Sequence, residues 1–528
     1  MKQERKDIKY PIGIQSFEKL REENYLYVDK TPYVYDIVKN GGYYFLSRPR
    51  RFGKSLFLST LEAYYEGRRD LFKGLALDSL TEEWDPYPVL HLDLNNGLYD
   101  SEKGLLDKLS LQLSEWERKN GLGETVPTED MPVSLRFGLL IEKLYEHTGK
   151  KVVILVDEYD KPLLNTLDNP ELNDAYRRIL KSFYSNLKTQ DKYIKLAFIT
   201  GVARFSKVSI FSDLNNLEDI SFAPEYSAVC GVTSEELLTY FKEGIFELGA
   251  KLENNEEETV ALLKKRYDGY HFSRTSPDIY NPFSLVNTFK REDPGSYWFE
   301  SGTPTYLVTL LNRINRPFSD LAPVEMDRTE LESAGLLDSN PVPVFYQSGY
   351  LTIRGYDRDT DSYLLDYPNE EVKEGFLKFL MKSYIPDMMP GSGFTMADFI
   401  RAVRDGQPEK FMKSMESLVA DVPYSEKGSA EGHFQNAVYL LFTLLGFFAR
   451  MERRTSDGRI DLTVETTHRV YIFEFKIDSS AEKAMEQIKE KEYCLPYAAS
   501  GKEIYLIGAN FDTKTRRLDG WLIETLDQ

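Results

Sequence analysis

The chain has 528 residues, of which 41% are hydrophobic and 29% charged, and its formal net charge is −19. At roughly 100–200 residues per domain, this length predicts about three globular domains. The negative charge excludes a surface that is basic throughout, so any nucleic-acid site must be local. Two cysteines and five histidines also exclude a disulfide framework and a Cys- or His-rich zinc site.

The N-terminal residues MKQERKDIKYPIG contain no apolar signal core. The longest apolar stretch, Ala437–Ala449, is shorter than the ~20 residues that a membrane span requires. We predict that it forms a buried helix. These features favour a cytoplasmic protein with no membrane segment.

Short apolar runs alternate with helical patterns through residues 1–225. This alternation predicts an α/β fold with a parallel sheet and crossover helices. The runs are Tyr43–Leu46, Val89–Leu94, Val152–Val156 and Leu196–Thr200. Residues 226–400 are typical of a mostly helical, lid-like or winged-helix-like region with aromatic clusters. Residues 401–528 are predicted to form a third domain.

The segment Ser47-Arg-Pro-Arg-Arg-Phe-Gly-Lys-Ser55 lies between the apolar run YYFL and the helical pattern LFLSTLEAYY. A strand–loop–helix setting is the context that a phosphate-binding P-loop requires. Gly53 would let the backbone approach phosphate, Lys54 would neutralise the β- and γ-phosphates, and Ser55 would hold Mg²⁺. Arg48 stands where the usual first glycine would be, and the alternative interpretation is a basic helix cap. The predicted nucleotide-binding residues here are Arg50, Arg51, Phe52, Gly53, Lys54, Ser55 and Leu56.

The run Lys151–Val156 is continuous and apolar, as in a strand buried on both faces, and it ends in Asp157-Glu158-Tyr159-Asp160. Ligands of open α/β sheets bind at the carboxyl ends of the strands. We therefore predict a Walker-B element in which Asp157 holds Mg²⁺ and Glu158 orients the attacking water. The alternative is a solvated turn after a core strand.

A third run, Leu196–Thr200, is followed by Gly201-Val-Ala-Arg204. Thr200 is predicted to be a sensor residue, and Arg204 to reach the γ-phosphate as a charge-stabilising group. The alternative is a strand-end threonine followed by a surface arginine.

The blocks SRPRRFGKSLFLSTL, VVILVDEYDKPLL, FITGVARFSKVSIFSDLNNL, YDGYHF and YNPFS resemble the AAA-ATPase-like family found in many bacteria. In that family the same blocks precede a C-terminal PD-(D/E)XK nuclease-like domain, and the resemblance covers essentially the whole chain. It implies a P-loop NTPase sheet at the N-terminal end and a nuclease-like α/β domain at the C-terminal end.

The C-terminal pattern, Asp461 followed by Glu474 and Lys476, can be placed on two predicted strands, Ile460–Glu465 and Val470–Lys476. If residues 466–469 form a symmetric hairpin loop, Glu465 faces Val470 and Asp461 faces Glu474. Two opposed carboxylates repel each other unless a divalent cation lies between them. Lys476 projects from the same face as Glu474. The alternative is a set of solvent-facing charges in which Lys476 pairs with Glu474.

These residues suit phosphodiester hydrolysis, with Mg²⁺ or Mn²⁺ held by Asp461 and Glu474 and with Lys476 positioning the water. The resemblance further implies a third metal-ligand carboxylate, Glu431, and a supporting Gln487. Lys489 and Lys491 would supply a local basic groove together with Arg453, Arg454 and Arg459.

The sequence therefore predicts a protein that binds and hydrolyses ATP and whose C-terminal domain cuts nucleic acid, DNA more than RNA. It also predicts that ATP controls the nuclease activity. The alternative is a nucleotide-switched DNA- or protein-binding module with an inactive nuclease fold. A homo-oligomer is compatible with either hypothesis.

Overall fold

The structure is a computed structural model that describes eleven segments of the chain: 8–122, 131–203, 210–211, 214–300, 322–333, 340–384, 396–420, 448–450, 462–498, 500–515 and 517–526. These residues form two compact units. One unit contains the described residues of Met1–Ile314 and Pro323–Lys373, and the other contains those of Asn315–Ala322 and Glu374–Gln528. The predicted domain boundaries at 225 and 400 stay predictions.

The described α-helices, in chain order, are α1 (Phe17–Glu22), α2 (Thr31–Asn40), α3 (Lys54–Tyr65), α4 (Ala76–Leu80), α5 (Glu102–Lys119), α6 (Val133–Thr148), α7 (Lys161–Leu164), α8 (Pro170–Tyr184), α9 (Asn186–Thr189), α10 (Ser234–Tyr240), α11 (Lys242–Leu252), α12 (Glu256–Tyr267), α13 (Pro282–Arg291), α14 (Tyr297–Glu300), α15 (Arg328–Ser333), α16 (Val342–Gln347), α17 (Glu370–Tyr384), α18 (Met396–Arg404), α19 (Pro408–Ala420) and α20 (Ala481–Glu490). Short 3₁₀ helices cover Arg69–Phe72, Asp191–Tyr193, Pro224–Tyr226 and Leu495–Tyr497.

The described strands are β1 (Gly42–Ser47), β2 (Val89–Asp93), β3 (Val152–Asp157), β4 (Ile194–Gly201), β5 (Leu217–Asp219), β6 (Val324–Asp327), β7 (Thr352–Asp357), β8 (Ser362–Asp366), β9 (Phe448–Arg450), β10 (Leu462–Glu465), β11 (Arg469–Ile477), β12 (Glu503–Asp512) and β13 (Arg517–Leu526). The four apolar runs of the N-terminal region coincide with β1 to β4, so those strand predictions are confirmed.

The N-terminal sheet is parallel, with strand order β2-β3-β4-β1-β5. On one face, the side chains of alternate strand residues pack against α5, α6 and α8 around a large core that includes Phe45, Ile154 and Ile199. On the other face, α3 packs against the sheet, with Phe57 in contact with Phe198. Burial on both faces explains why these strands are continuous apolar runs rather than alternating ones.

The predicted middle region is helical as expected, but it also contains a three-stranded antiparallel sheet with order β6-β8-β7. Its aromatic clusters are buried. Tyr270 and Phe272 contact Phe52, and Tyr350 packs on Trp298.

The C-terminal sheet has strand order β13-β12-β11-β10-β9, with β11 and β12 parallel and the other pairs antiparallel. The helix prediction for Ala437–Ala449 is wrong for Phe448 and Ala449, which lie in β9 and pair with β10. A continuous apolar run fits a buried strand as well as a buried helix, so the pattern could not separate the two. Residues 437–447 lie outside the described part of the chain.

Among the described helices, none combines the length and the apolar character that crossing a membrane requires.

Candidate functional site

The first candidate site lies where β1 continues through the loop Arg48–Gly53, here called the phosphate loop, into α3. Gly53 precedes the helix with a φ of 100°, a left-handed conformation that glycine adopts without steric cost. The first backbone N–H groups of a helix have no acceptor within it and carry a partial positive charge. The strand–loop–helix context predicted for this motif is therefore present.

Lys54, the first residue of α3, is only 4% exposed. Its ammonium group donates to the carbonyl oxygens of Arg48 (3.0 Å) and Pro49 (3.1 Å). The amine is thus held inside the concave side of the loop. Of the other predicted nucleotide-binding residues here, Phe52 is buried, Arg50, Gly53, Ser55 and Leu56 are half-buried, and Arg51 is exposed.

Arg48 replaces the usual glycine and is almost fully buried, with 1% of its surface exposed. Its guanidinium donates to the carbonyl oxygens of Ser47 (2.8 Å), Ser221 (2.9 Å) and Tyr226 (2.9 Å), and it lies 4.2 Å from the centre of the Phe272 ring. Because its partners other than Ser47 come from the residues after β5, no local pattern pointed to them. Arg48 fixes the start of the loop.

Asp157 and Thr200 meet at the carboxyl ends of the adjacent strands β3 and β4. The Thr200 hydroxyl donates to the Asp157 carboxylate at 2.6 Å, and both residues are buried. Glu158 follows with a positive φ of 53° and is half-buried. The three predicted residues therefore lie together, while Arg204 lies outside the described residues.

Asp160 is a buried residue of this site to which the sequence analysis gave no role. Its carboxylate accepts the backbone N–H groups of Val202 (3.0 Å) and Ala203 (2.7 Å). Burial raises the pKa of Asp160 to about 6, although the hydrogen bond from Ala203 opposes that rise. Asp160 thereby ties the turn after β3 to the chain leaving β4. The acidic run DEYD was the only sequence signal.

The charges of these elements converge around one buried thiol. Burial raises the pKa of Cys230, the charges of Arg48 and Lys54 act to lower it, and that of Asp157 acts to raise it. The charges of Arg48 and Lys54 in and beside the loop, and that of Asp157 at the end of β3, therefore all act on the Cys230 thiol.

A small apolar cavity of about 110 Å³ opens beside the phosphate loop. Phe52, Gly53 and Leu56 form its loop side. Apolar residues from the N-terminal segment and from residues 229–232, including Leu26, Val28, Val229 and Val232, line much of the remainder, together with the polar side chains of Lys30 and Thr60. The cavity thus places apolar side chains next to the phosphate loop.

The second candidate site lies on the C-terminal sheet, where β10 and β11 pair antiparallel. The register joins Glu465 to Val470 and Leu462 to Phe473, as the symmetric hairpin loop predicts. That register prediction is confirmed as far as Leu462. Asp461, the next residue, and Glu431 both lie outside the described residues.

Glu474 and Lys476 project from one face of β11. Glu474 is 2% exposed, and the Lys476 ammonium donates to its carboxylate at 2.9 Å. Lys476 also donates to the side-chain oxygen of Gln487 on α20, and the Gln487 amide donates to the Tyr493 hydroxyl at 3.1 Å. The structure therefore brings together the three predicted residues that it describes. It also places the Tyr493 hydroxyl next to Gln487.

Gly508 explains how α20 comes so close to this face. Gly508 pairs with Glu474 across β11 and β12. A Cβ atom on it would lie 2.7 Å from the Met485 nitrogen and 2.8 Å from the Ala481 oxygen. The missing side chain lets the helix backbone approach the strand and place Gln487 over Lys476.

The donor chemistry at both sites consists of hard oxygen ligands, which suit Mg²⁺ or Mn²⁺. Within the segments that the structure describes, no three Asp, Glu, His or Cys residues come together as a metal-binding group. Ser55 with Asp157 would hold the ion at the first site, and Glu474 is the described carboxylate at the second. Lys489, predicted to line a basic groove, pairs with Glu524 at 2.7 Å.

Comparison with known proteins finds a family match at each end of the chain. Residues 11–211 match the family described as "Predicted AAA-ATPase", and residues 429–521 match the PD-(D/E)XK nuclease superfamily. A relative from Azotobacter chroococcum mcd 1, named "Uncharacterized protein in vnfD 5'region", is 37% identical over 532 residues. That alignment covers 98% of this chain and 99% of the relative.

Proposed function

This chain belongs to a family that joins an AAA-ATPase-like domain to a PD-(D/E)XK nuclease-superfamily domain, and from that premise we propose that it hydrolyses ATP and cuts nucleic acid.

The ATPase proposal rests on three predicted residues that lie at or after the carboxyl ends of three strands. Lys54 follows β1, Asp157 ends β3, and Thr200 near the end of β4 donates to Asp157 at 2.6 Å. In the proposed roles, Lys54 neutralises the β- and γ-phosphates, and Ser55 and Asp157 hold Mg²⁺. The ion, when bound, neutralises phosphate charge. Glu158 orients the attacking water, Thr200 senses the γ-phosphate, and Arg204 stabilises the developing charge.

Phosphate binding would exchange the partners of Lys54. Its ammonium now donates to two loop carbonyls, and phosphate oxygens are stronger, charged acceptors. The apolar cavity beside Gly53 and Leu56 supports a nucleotide rather than a free phosphate, because a purine ring offers apolar faces.

ATP turnover by the purified chain tests this assignment. The Lys54→Ala variant should lose ATP hydrolysis, because its buried ammonium group is the charge that the proposal places on the β- and γ-phosphates. Lys73→Ala, an exposed lysine of the same unit, should keep wild-type turnover. Equal turnover by Lys54→Ala and wild type would contradict the assignment.

The nuclease proposal is carried by the Glu474–Lys476–Gln487 cluster. We propose that Glu474, with Asp461 and Glu431, would hold Mg²⁺ or Mn²⁺, and that the ion, when bound, would activate water for attack. Lys476 would position that water, and Gln487 holds the lysine. The substrate is proposed to be DNA more than RNA. The confirmed register from Glu465 to Leu462 supports Asp461 as the partner of Glu474, because Asp461 directly precedes Leu462.

Cleavage of plasmid and single-stranded DNA with Mg²⁺ or Mn²⁺ tests the nuclease. Lys476→Ala should abolish cutting, whereas Lys483→Ala, an exposed lysine on α20, should not. Adding ATP to wild type and to Lys54→Ala tests control by nucleotide. Nuclease activity of Lys54→Ala that equals wild type with and without ATP would rule out that control.

The second candidate is a nucleotide-switched binding module with an inactive nuclease fold. One observation favours it, since Lys476 forms an ion pair with Glu474 at 2.9 Å. In that case DNA would bind without metal-dependent cutting, and the same cleavage assay separates the two functions. A homo-oligomer is also proposed, and solution mass with and without ATP tests it.

A further inference from the structure

The phosphate loop is held at every residue before Gly53 by side chains or backbone from the later segment Ser221–Tyr350. The contacts that hold it are Arg48 with the carbonyls of Ser221 and Tyr226, Pro49 with Gly349, Arg50 with Trp298, Arg51 with the ring of Phe283, and Phe52 with Tyr270, Phe272 and the Gly231 nitrogen. Glycine-rich phosphate loops need no such support, because their bends carry little steric cost. In this chain the loop conformation depends on partners more than 160 residues away in sequence.

Among these contacts, that of Trp298 is a side-chain hydrogen bond to the loop backbone. Its indole N–H donates to the Arg50 carbonyl oxygen at 3.1 Å. Trp298 is 6% exposed and packs against Tyr350, with the ring centres 5.0 Å apart. The indole therefore has little freedom to leave this position.

Trp298 is itself fixed by a buried carboxylate. Glu371, with 0% of its surface exposed, accepts the Trp298 backbone N–H at 2.9 Å. It also accepts the Ser284 hydroxyl through both oxygens, at 2.9 and 2.7 Å. Glu371 thus joins α17 to α13 and α14, and through Trp298 to the phosphate loop.

The direction of one carbonyl decides the direction of the next amide. In a trans peptide, the Arg50 C=O and the Arg51 N–H lie in one plane and point in opposite directions within it. Holding the carbonyl toward Trp298 therefore aims the Arg51 N–H away from it. Arg51 and Gly53 both have positive φ, 64° and 100°, and backbone of alternating handedness turns successive N–H groups into an anion-binding concavity.

We propose that Trp298 is a positioning residue of the phosphate loop, which orients the Arg51 amide toward the nucleotide phosphates and links ATP binding to the Glu371 cluster. This proposal rests on the ATP-binding function proposed above. Binding energy is reciprocal, so ATP bound at the loop must in turn stabilise the Trp298 contact. Trp298 is then the tryptophan whose surroundings change when ATP binds.

The test is ATP binding by Trp298→Phe, which keeps an aromatic ring and removes the N–H donor. Trp84→Phe is the matched control, because the Trp84 indole also donates to a backbone carbonyl, that of Thr81, at 3.2 Å. We expect Trp298→Phe to raise the Kd for ATP about fivefold, the effect of one net hydrogen bond. Trp84→Phe should leave the Kd unchanged.

Intrinsic fluorescence gives a readout that general loss of stability would not produce. ATP should change the tryptophan emission of wild type and of Trp84→Phe, and this change should disappear in Trp298→Phe. An unchanged Kd together with a persistent emission change in Trp298→Phe would overturn the proposal while leaving the ATP site intact. If wild type itself binds no ATP, the proposed function fails first, and the inference fails with it.

Glu371→Gln provides a second route if Trp298→Phe does not fold. At pH 8.5, above the raised pKa of about 7 at which Glu371 ionises, the amide replaces a charged acceptor of the Trp298 N–H by a weaker neutral one. The Kd for ATP should therefore rise in the same direction, with Glu370→Gln, a neighbour that pairs with Lys265, as the control. Equal ATP binding by Glu371→Gln and its control would overturn the link to the Glu371 cluster.

Discussion

Glu371→Gln should make the stability of the N-terminal unit less sensitive to a rise in pH from acid to neutral. Burial raises the pKa of Glu371 to about 7 from its ordinary value of 4.5, although the hydrogen bonds from Trp298 and Ser284 oppose the rise. A carboxyl with a raised folded-state pKa contributes stability that is complete below its unfolded pKa. That stability is lost as the pH rises through the folded value. The stability that Glu371 contributes is thus lost between roughly pH 4.5 and 7.

The magnitude follows from the two pKa values. At pH 8.5 the group is ionised in both states, so folding buries the charge at full cost. At pH 5.5 the folded state is mostly protonated, whereas the unfolded state is mostly ionised. The linkage relation then gives about 2 kcal/mol of stability lost between pH 5.5 and pH 8.5 from this one carboxyl.

Chemical denaturation of wild type and Glu371→Gln at the two pH values measures this loss. The difference in unfolding free energy, variant minus wild type, should increase by about 2 kcal/mol from pH 5.5 to pH 8.5. Other buried carboxyls, such as Asp160, cancel in the difference. Glu370→Gln is the control, because an exposed ion pair contributes little to stability. A difference that stays constant with pH, or falls, would refute the reasoning.

Three further substitutions test other parts of the structure. Gly508→Val should destabilise the C-terminal unit by about 1–3 kcal/mol, because the new side chain would overpack against α20. Denaturation followed by the fluorescence of Trp521 in β13 measures this effect. An unchanged free energy of unfolding would show that the helix can move away. Asp160→Ala should cost on the order of 2 kcal/mol because two buried N–H groups lose their acceptor, and unchanged denaturant stability would contradict this. Thr200→Val should lower kcat for ATP about tenfold, equivalent to roughly 1.4 kcal/mol, with little change in the Kd for ATP; steady-state and binding assays that find kcat unchanged would remove Thr200 from the mechanism.

Local patterns were sufficient for the parts of the sites that lie on regular elements. Lys54 and Asp157 follow or end buried strands, and parallel strands with crossover helices necessarily bring such ends to one edge of the sheet. The hairpin register could likewise be deduced by counting, because a one-residue slip would turn every side chain of β10 to the opposite face. In both cases the geometry is set within a few residues of the motif.

Contacts between distant segments could not be predicted in this way. Trp298 and Arg50 are 248 positions apart, and neither periodicity nor motif spacing relates them. The strand β9 shows the same limit on a smaller scale, because its residues become a strand only by pairing with β10. Both features depend on tertiary pairing, which overrides what the local sequence prefers.

The replacement of glycine by arginine in the phosphate loop follows from these distant contacts. A glycine at position 48 would leave the carbonyls of Ser221 and Tyr226 without the guanidinium that now satisfies them, and unsatisfied buried carbonyls are costly. The loop therefore lacks the backbone freedom of a glycine at position 48, and it is instead anchored by the segment that follows the sheet. Because the same segment reaches Glu371 through Trp298, a nucleotide that reshapes the loop must act on both. Arg48 forms the start of one short loop and Trp298 holds its middle at Arg50. Substitutions at both sites should therefore be non-additive in ATP affinity, as expected for residues coupled through a shared backbone shift.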